Sequence, residues 1–484
     1  MKKLNVLLTV LLLLLASIVR AQNTNLAEHP EVASNLKLLE AWIESQMAHR
    51  GLPGMSVGIV YDQNLIWSKG FGYSDVDKKI PATPGTIYRI ASVTKLFTAT
   101  AIMQLRDQGK LHLDDPVSKH LSWFKIRSRY TDAPPVTIRH LLTHSSGLPR
   151  EAAFPYWSEN NFPTREQIIE ALPNQEAVFA PETKWKYSNL ALSLAGEIVS
   201  VVSGELYDLY VQKHILEPLG MSSSSMVLPE AHKGRVAIGY GRRMPDGKRD
   251  IRPFTDCKGI APAANLSSTV EDLARFASLQ MRDGKVGGNQ ILKGSTLREM
   301  HRVHWLQSDW KNGWGLGFAI VRDGERTLVG HRGWVAGYRT QIMASPEEKL
   351  AIIVLTNADD GNPGYYLMQA FNVVAPAIKK AVAPPAIIVQ PDPEWNKYVG
   401  RYRNPWEDSQ VLILNGELVL IDPTIDNPKD ALLRLIPEGK HTFRITTAEK
   451  MNYGRDGELV IFEFGPTGKV TRMKMAENYT QRID

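Results

Sequence analysis

The chain has one cysteine, Cys257, so no disulfide can form within it. A protein of 484 residues must then take its stability from core burial, and 43% hydrophobic residues can supply a large core. A lone thiol is a candidate nucleophile, but no histidine lies near it in sequence, and an inert buried Cys257 is the expectation. No stretch beyond the first twenty residues is long and apolar enough to span a bilayer. No basic stripe is present either. The formal charge of +6 falls to +3, 54 basic against 51 acidic residues, once Lys2, Lys3 and Arg20 are set aside. Nucleic acid is therefore not an implied partner. Repeats and low-complexity tracts are also missing.

The N-terminal residues read as a secretory signal over residues 1–21. Lys2 and Lys3 are followed by an apolar run from Val6 to Leu15 and by small Ala21. An uncleaved anchor is the rival reading. The expected product is exported, periplasmic or secreted, with no stable membrane span after cleavage.

Periodicity organises the remainder. Leu36 to Met47 predicts a helix. Met55–Val60 and Leu65–Ser68 predict a hairpin around Asp62-Gln63-Asn64. A helix opens at Ser92, carries Leu96, Ala99, Met103 and Leu105, and closes at Gln108-Gly109. Ile138–Thr143 and Leu190–Val202 are the clearest helices of the middle region, and Ser268-Thr269-Val270-Glu271 resembles a capping box. Strands return at 317–322, 327–329, 339–344 and 350–355, the last apolar enough to be buried on both faces. Strands at both ends of a region enclosing helices predict an α/β (α+β) domain over 22–381. Its antiparallel sheet is flanked by helices and interrupted by a helical insertion. A Pro-rich linker over 382–392 precedes a small all-β, barrel-like domain over 393–484. Its hairpins are read at Asn415-Gly416 and at Gly465-Pro466-Thr467-Gly468.

Three motifs carry chemistry. Ser92-Val93-Thr94-Lys95 sets a hydroxyl and an amine on one helix face. A serine needs a neighbouring base to become nucleophilic, and the positive end of the helix dipole is expected to push Lys95 toward its neutral form. Tyr187-Ser188-Asn189 follows Lys184 and Lys186. A nearby cation is expected to ease loss of the phenolic proton, so that Tyr187 relays protons. Asn189 is expected to hold Lys95 or a substrate carbonyl. Gly330-His331-Arg332-Gly333-Trp334 places glycines in a strand where a ligand can approach. A backbone N–H there can join that of Ser92 in stabilising an oxyanion, and His331 adds a sometimes cationic side chain.

Together these motifs resemble the serine β-lactamase and penicillin-binding-protein superfamily. The Tyr-Ser-Asn form is similar to the class C β-lactamase branch, which includes esterases, D-aminopeptidases and DD-peptidases. Matching stretches include Gly109–Pro116, Ile138–Pro149, Pro218–Met221 and Val354–Asn357, within residues 33–375. The resemblance implies Ser92 as acylated nucleophile, Lys95 as base and Tyr187 as proton relay. It implies substrate contacts at Asn189, His331, Gly333 and Trp334, with the N–H groups of Ser92 and Trp334 as oxyanion hole. His331 stands where class C enzymes carry lysine, and alanines replace a frequent Gly-Gly within Ala261–Asn265. Both departures favour a small ester or a D-amino-acid-containing, peptidoglycan-type peptide over a β-lactam. A true β-lactamase and a non-catalytic wall-peptide-binding relative remain the alternatives. The segment after Tyr398-Val399-Gly400-Arg401-Tyr402 looks like the lipocalin-like barrel appended to such hydrolases.

No metal or organic cofactor is implied. His140 and His144 have a zinc-like i,i+4 spacing but no adjacent glutamate, and helix packing or capping is their expected role, as it is for His301 and His304. Trp305, Trp310 and Trp314 are expected in the core or lining the cleft. Oligomeric state is not legible.

Overall fold

The computed structural model describes residues 26–284, 289–383, 392–414, 416–424, 432–447 and 454–484. The expected leader, most of the expected linker and Asn415 lie outside the described residues. The chain forms two compact units, Met1–Val382 and Ala383–Asp484.

The first unit is built on a nine-stranded antiparallel sheet. Its strands are β1 (Gly54–Tyr61), β2 (Asn64–Asp75), β3 (Ile80–Pro81), β6 (Trp305–Leu306), β7 (Asn312–Trp314), β8 (Ala319–Asp323), β9 (Arg326–Val335), β10 (Tyr338–Ser345) and β11 (Leu350–Thr356), in the order β3-β2-β1-β11-β10-β9-β8-β7-β6. A separate ribbon pairs β4 (Tyr88–Arg89) with β5 (Ser267–Ser268). The β1–β2 turn has Asp62 at φ 40° and Gln63 at φ 76°, the left-handed pair that matches the twist of a tight hairpin. Strand β1 pairs with β11, Val57 opposite Val354, so the first and last strands of the unit meet at its centre.

Every residue of β11 is buried because the sheet separates two cores. Ile352 and Val354 pack with Val57 and Ile59 beneath two long helices, α1 (Pro30–Arg50) and α6 (Pro363–Val382). Ala351, Ile353 and Leu355 point to the opposite core, which includes α2 (Thr94–Asp107), α4 (Asn189–Ser203) and α5 (Val270–Gln280). Alternating side chains thus feed opposite cores, and the strand reads as one apolar run. Helix α1 is delimited by local chemistry: Pro30 at its first position, the His29 imidazole accepting from the Glu31 N–H, and Gly51 at φ 59°. Helix α3 (Ile138–Thr143) has the predicted bounds.

Two local expectations shift. Ser92 lies in a short 3-10 turn, Ala91–Val93, and the α-helix begins at Thr94. The cap of α5 is Thr269, whose hydroxyl accepts from the Asp272 N–H. Its reciprocal partner is missing because the Asp272 carboxylate accepts from the Ser223 N–H and the Ser224 hydroxyl.

The second unit is a closed antiparallel barrel of eight strands in sequence order: β12 (Gly400–Arg403), β13 (Asp408–Leu414), β14 (Glu417–Ile421), β15 (Leu433–Gly439), β16 (Thr442–Thr447), β17 (Leu459–Phe464), β18 (Val470–Met475) and β19 (Asn478–Arg482). Pairing of Tyr402 with Arg482 closes the ring, which removes free strand edges. Tyr402, Phe443, Ile445, Phe462 and Met473 fill the interior.

Phe371 on α6 is fully buried in the core that α1 and α6 form with the nine-stranded sheet of the first unit. Phe371→Ala is expected to destabilise the first unit by roughly 3–5 kcal/mol. Urea denaturation checks this, and a loss near zero would show that the α6 interface is not tightly packed.

Candidate active site

The turn that carries Ser92 is held from three sides. The Ile90 N–H donates to Leu266 O at 3.0 Å, and Ile90 O accepts from Thr340 Oγ1 at 3.0 Å. Thr94 Oγ1 donates to Ala91 O at 2.6 Å and accepts from the Leu266 N–H at 3.0 Å. These bonds fix Ala91 at φ 50°, a left-handed conformation costing an alanine about 1–2 kcal/mol. The strained residue immediately precedes Ser92, which is half-buried at the start of α2.

Lys95 is fully buried, and its Nζ lies 3.0 Å from Ser92 Oγ, 2.8 Å from Asn189 Oδ1 and 2.8 Å from Ala263 O. Burial, partly offset by the Glu151 carboxylate, lowers its pKa to about 7. Desolvation is the main cause, where the helix dipole was expected. A neutral amine has two hydrogens and one lone pair. The two carbonyl oxygens can only accept, so the hydrogens go to Asn189 and Ala263. The lone pair is left for the Ser92 hydroxyl.

Asn189 opens α4, which its neighbour Ser188 caps by accepting from the Ala191 N–H. Its Nδ2 donates to both Glu151 oxygens at 2.9 and 3.0 Å. Those bonds dictate which end of the amide faces Lys95. Both ends of the amide thus have partners inside the protein, and of its two expected contacts the structure shows the one with Lys95. Glu151 also accepts from the Tyr156 hydroxyl and pairs with Arg150 Nε at 3.1 Å.

Tyr187 is half-buried, its ring 5.0 Å from Lys95 Nζ and 5.0 Å from the Arg150 guanidinium. Burial pushes its phenol well above the ordinary range, against a hydrogen bond with Ser92 that lowers it. The expectation of an easily lost proton is therefore corrected. Desolvation outweighs the cations, and the phenol stays protonated near neutral pH.

His331 is buried on β9, not a cationic surface group. Burial first, then Lys95, lowers its pKa to about 3. Its Nδ1 donates to Arg332 O at 2.6 Å, so the neutral ring keeps a bare Nε2 acceptor with no partner among the described residues. Gly333 is also buried, where an added Cβ would lie 2.1 Å from Ile90 O. That close approach brings β9 against the nucleophile turn. Trp334 is 51% exposed, and its indole donates to Asp359 Oδ1 at 3.2 Å.

An aromatic wall backs Tyr187. The His144 ring lies 4.4 Å and Trp314 6.2 Å from it, with Trp185 5.3 Å from Trp314. His144 Nδ1 accepts from the Ser188 N–H at 3.2 Å, and burial holds its imidazole neutral. His140 instead caps α3, its Nδ1 accepting from the Thr137 N–H. Trp314 is buried while Trp310 is 78% exposed. Cys257 is buried and burial raises its thiol pKa.

Glu151, Arg150, His144 as a support for Tyr187, and the Ala263 carbonyl were not anticipated from the sequence. Arg150 and Glu151 directly follow the family-like stretch ending at Pro149, the only signal that pointed to them.

A family model described as Beta-lactamase matches residues 39–372, and the chain belongs to the beta-lactamase family. It is 29% identical over 358 residues to Beta-lactamase-like protein 2 of Dictyostelium discoideum, covering 72% of this chain and 64% of that protein. Protein flp of Staphylococcus aureus (strain MW2) is 28% identical, covering 66% and 62%. The chain thus spans just under two thirds of these curated relatives. Among solved structures, the octameric penicillin-binding protein homologue from Pyrococcus abyssi superposes with a TM-score of 0.63 at 30% identity, covering 92% of this chain and 99% of that one. EstCE1, a hydrolase with promiscuous acyltransferase activity, shares the fold with a TM-score of 0.60 at 23% identity, covering 71% and 99%.

Gly333→Ala is expected to lower the thermal midpoint by several degrees, because a backbone oxygen must move to admit the methyl group. Calorimetry checks this, and an unchanged midpoint would mean that β9 and Ile90 separate freely.

Proposed function

We propose that this chain is an exported serine hydrolase that forms an acyl-enzyme at Ser92 from a small ester or a D-amino-acid-containing peptide. The observation that carries the reading is the buried Lys95 amine, whose other two acceptors leave its lone pair to Ser92. Lys95 takes the hydroxyl proton as Ser92 Oγ bonds to the substrate carbonyl carbon. The carbonyl oxygen gathers charge against the backbone N–H groups of Ser92 and Trp334. When the bond to the leaving group breaks, the protonated Tyr187 supplies a proton to the departing oxygen or nitrogen. Lys95 returns its proton to the phenol side, and water then clears the acyl group by the same path in reverse. Export is supported by the leader-like residues 1–21. Among the described residues no single helix is long and apolar enough to cross a membrane. The one bent pair that qualifies by composition, Asn189–Ser203 with Tyr207–Leu216, belongs largely to the buried core.

The neutral His331 favours esters. A β-lactam or a peptide terminus carries a carboxylate that a cation would hold, and this imidazole is uncharged throughout the neutral range. A short-chain p-nitrophenyl ester is therefore expected to be hydrolysed well faster than nitrocefin. Fluorophosphonate should label the protein, and Ser92→Ala should abolish labelling and lower ester kcat/KM about 10³-fold or more. Labelling that survives Ser92→Ala would show that the nucleophile lies elsewhere, and faster nitrocefin turnover would reverse the substrate order.

Because Lys95 must be neutral to act as base, ester kcat/KM should rise with pH through about 7 and level off above it. The Glu151 carboxylate favours the Lys95 cation. Glu151→Gln should therefore move this rise to lower pH while reducing the plateau through loss of Asn189 positioning. A rise displaced to higher pH in Glu151→Gln would contradict the assignment of Lys95.

A further inference from the structure

A cleft of about 440 Å³ opens between the 226–256 segment and β10, and none of Ser92, Lys95, Tyr187, Asn189 or His331 lines it. That volume is ordinary for a small-molecule site. Its walls are mainly apolar. Tyr338 is buried at 3% exposure, while Val227, Ile251 and Phe254 are exposed by 70%, 59% and 45%. So many large apolar side chains open to solvent around one concavity mark a binding surface more than a chance of packing.

The cleft is also electropositive at its inner end. Arg89 lines it and is only 1% exposed, yet no carboxylate pairs with it among the described residues. Its Nη atoms donate to Thr255 O, to Asn265 Oδ1 at 2.8 Å and to the Cys257 sulfur at 3.4 Å. Its Nε has no partner among the described residues, and its guanidinium lies 4.7 Å from the Phe254 ring centre. A buried cation without a counter-ion is costly, and in a low-dielectric recess its field acts strongly on an entering anion. Lys233 and Arg252 add positive charge to the lining, although they already hold Glu230 and Asp359. Asp256 is the single acid among the lining residues.

We propose that this cleft binds a small apolar monocarboxylate, with the chain against Val227, Ile251 and Phe254 and the carboxylate in the field of Arg89. Binding is independent of turnover at Ser92. Arg89 nevertheless lies three residues before Ser92, and Asn265 joins it two residues after the Ala263 carbonyl that holds Lys95, so an occupant would sit behind the nucleophile turn.

Titration calorimetry of the full chain carrying Ser92→Ala tests this with octanoate, 1-octanol and octylammonium. Octanoate should bind one to one, at least tenfold more tightly than octanol, and octylammonium should give no saturable binding. Val227→Asp changes an exposed rim position, is expected to fold, and should weaken octanoate at least tenfold. Arg89→Gln should erase the preference for octanoate over octanol. Equal affinity for octanoate and octanol in the Ser92→Ala protein would overturn the proposal. So would absence of octanoate binding, or octanoate binding unaffected by Val227→Asp, which would place the ligand elsewhere.

Discussion

The candidate site depends on a lysine amine held where water cannot reach it. In solution that amine would be a cation and useless as a base. Enclosed by α2, the start of α4 and the Ala261–Ala264 turn, it loses hydration that its neighbours only partly replace, and its pKa falls to about 7. Two carbonyl acceptors then direct its hydrogens, and direction follows from charge state. Burial without Asn189 and Ala263 would give a neutral amine with no defined lone-pair direction. Those acceptors around a fully hydrated amine would leave a cation. The proposed activation of Ser92 needs both parts.

The double-layered core makes such enclosure possible. Strands β1 and β11 meet in the middle of the sheet, and each sends alternate side chains to opposite cores. One core carries α1 and α6, while the other is free to wrap α2 so completely that every residue from Thr94 to Leu105 is buried. Ile90 is tied to Leu266 and Thr340, which come from distant parts of the chain. This tethering holds Ala91 in a conformation that an isolated turn would abandon. The absence of a side chain at Gly333 is part of the same constraint, since a Cβ there would lie 2.1 Å from Ile90 O.

Much of this was legible in residues whose signal is local. The β1–β2 turn, the α3 bounds and the apolar run of β11 follow from neighbours in sequence. Ser92 and Lys95 were singled out by spacing and Tyr187 by the family-like Tyr-Ser-Asn motif, and they do converge. What sequence reasoning misjudged were quantities set by burial. Helix dipole and neighbouring lysines are visible in a sequence, so they were given the work that desolvation does at Lys95, and the opposite sign was expected at Tyr187. Asn189 was expected to hold Lys95 or a substrate carbonyl, and it does hold Lys95; its other partner, Glu151, lies 38 positions away, and no local pattern links them. That His331 is held neutral well below the ordinary imidazole range has the same origin.

Desolvation acts on Lys95, His144, Tyr187 and His331 in a common direction, toward the uncharged form. The amine of Lys95 and the imidazoles of His144 and His331 are pushed down, and the phenol of Tyr187 is pushed up. Above about pH 7 these four side chains are therefore neutral donors and acceptors around Ser92, with the Arg150–Glu151 pair beside Tyr187 and Asn189. A site of this kind offers little to a substrate that arrives charged. It offers much to one that is neutral on arrival and develops charge in the transition state, because fixed dipoles in a dry environment stabilise new charge without reorganising. Under the proposed function, that distinction, more than any single contact, favours an ester over a β-lactam carboxylate.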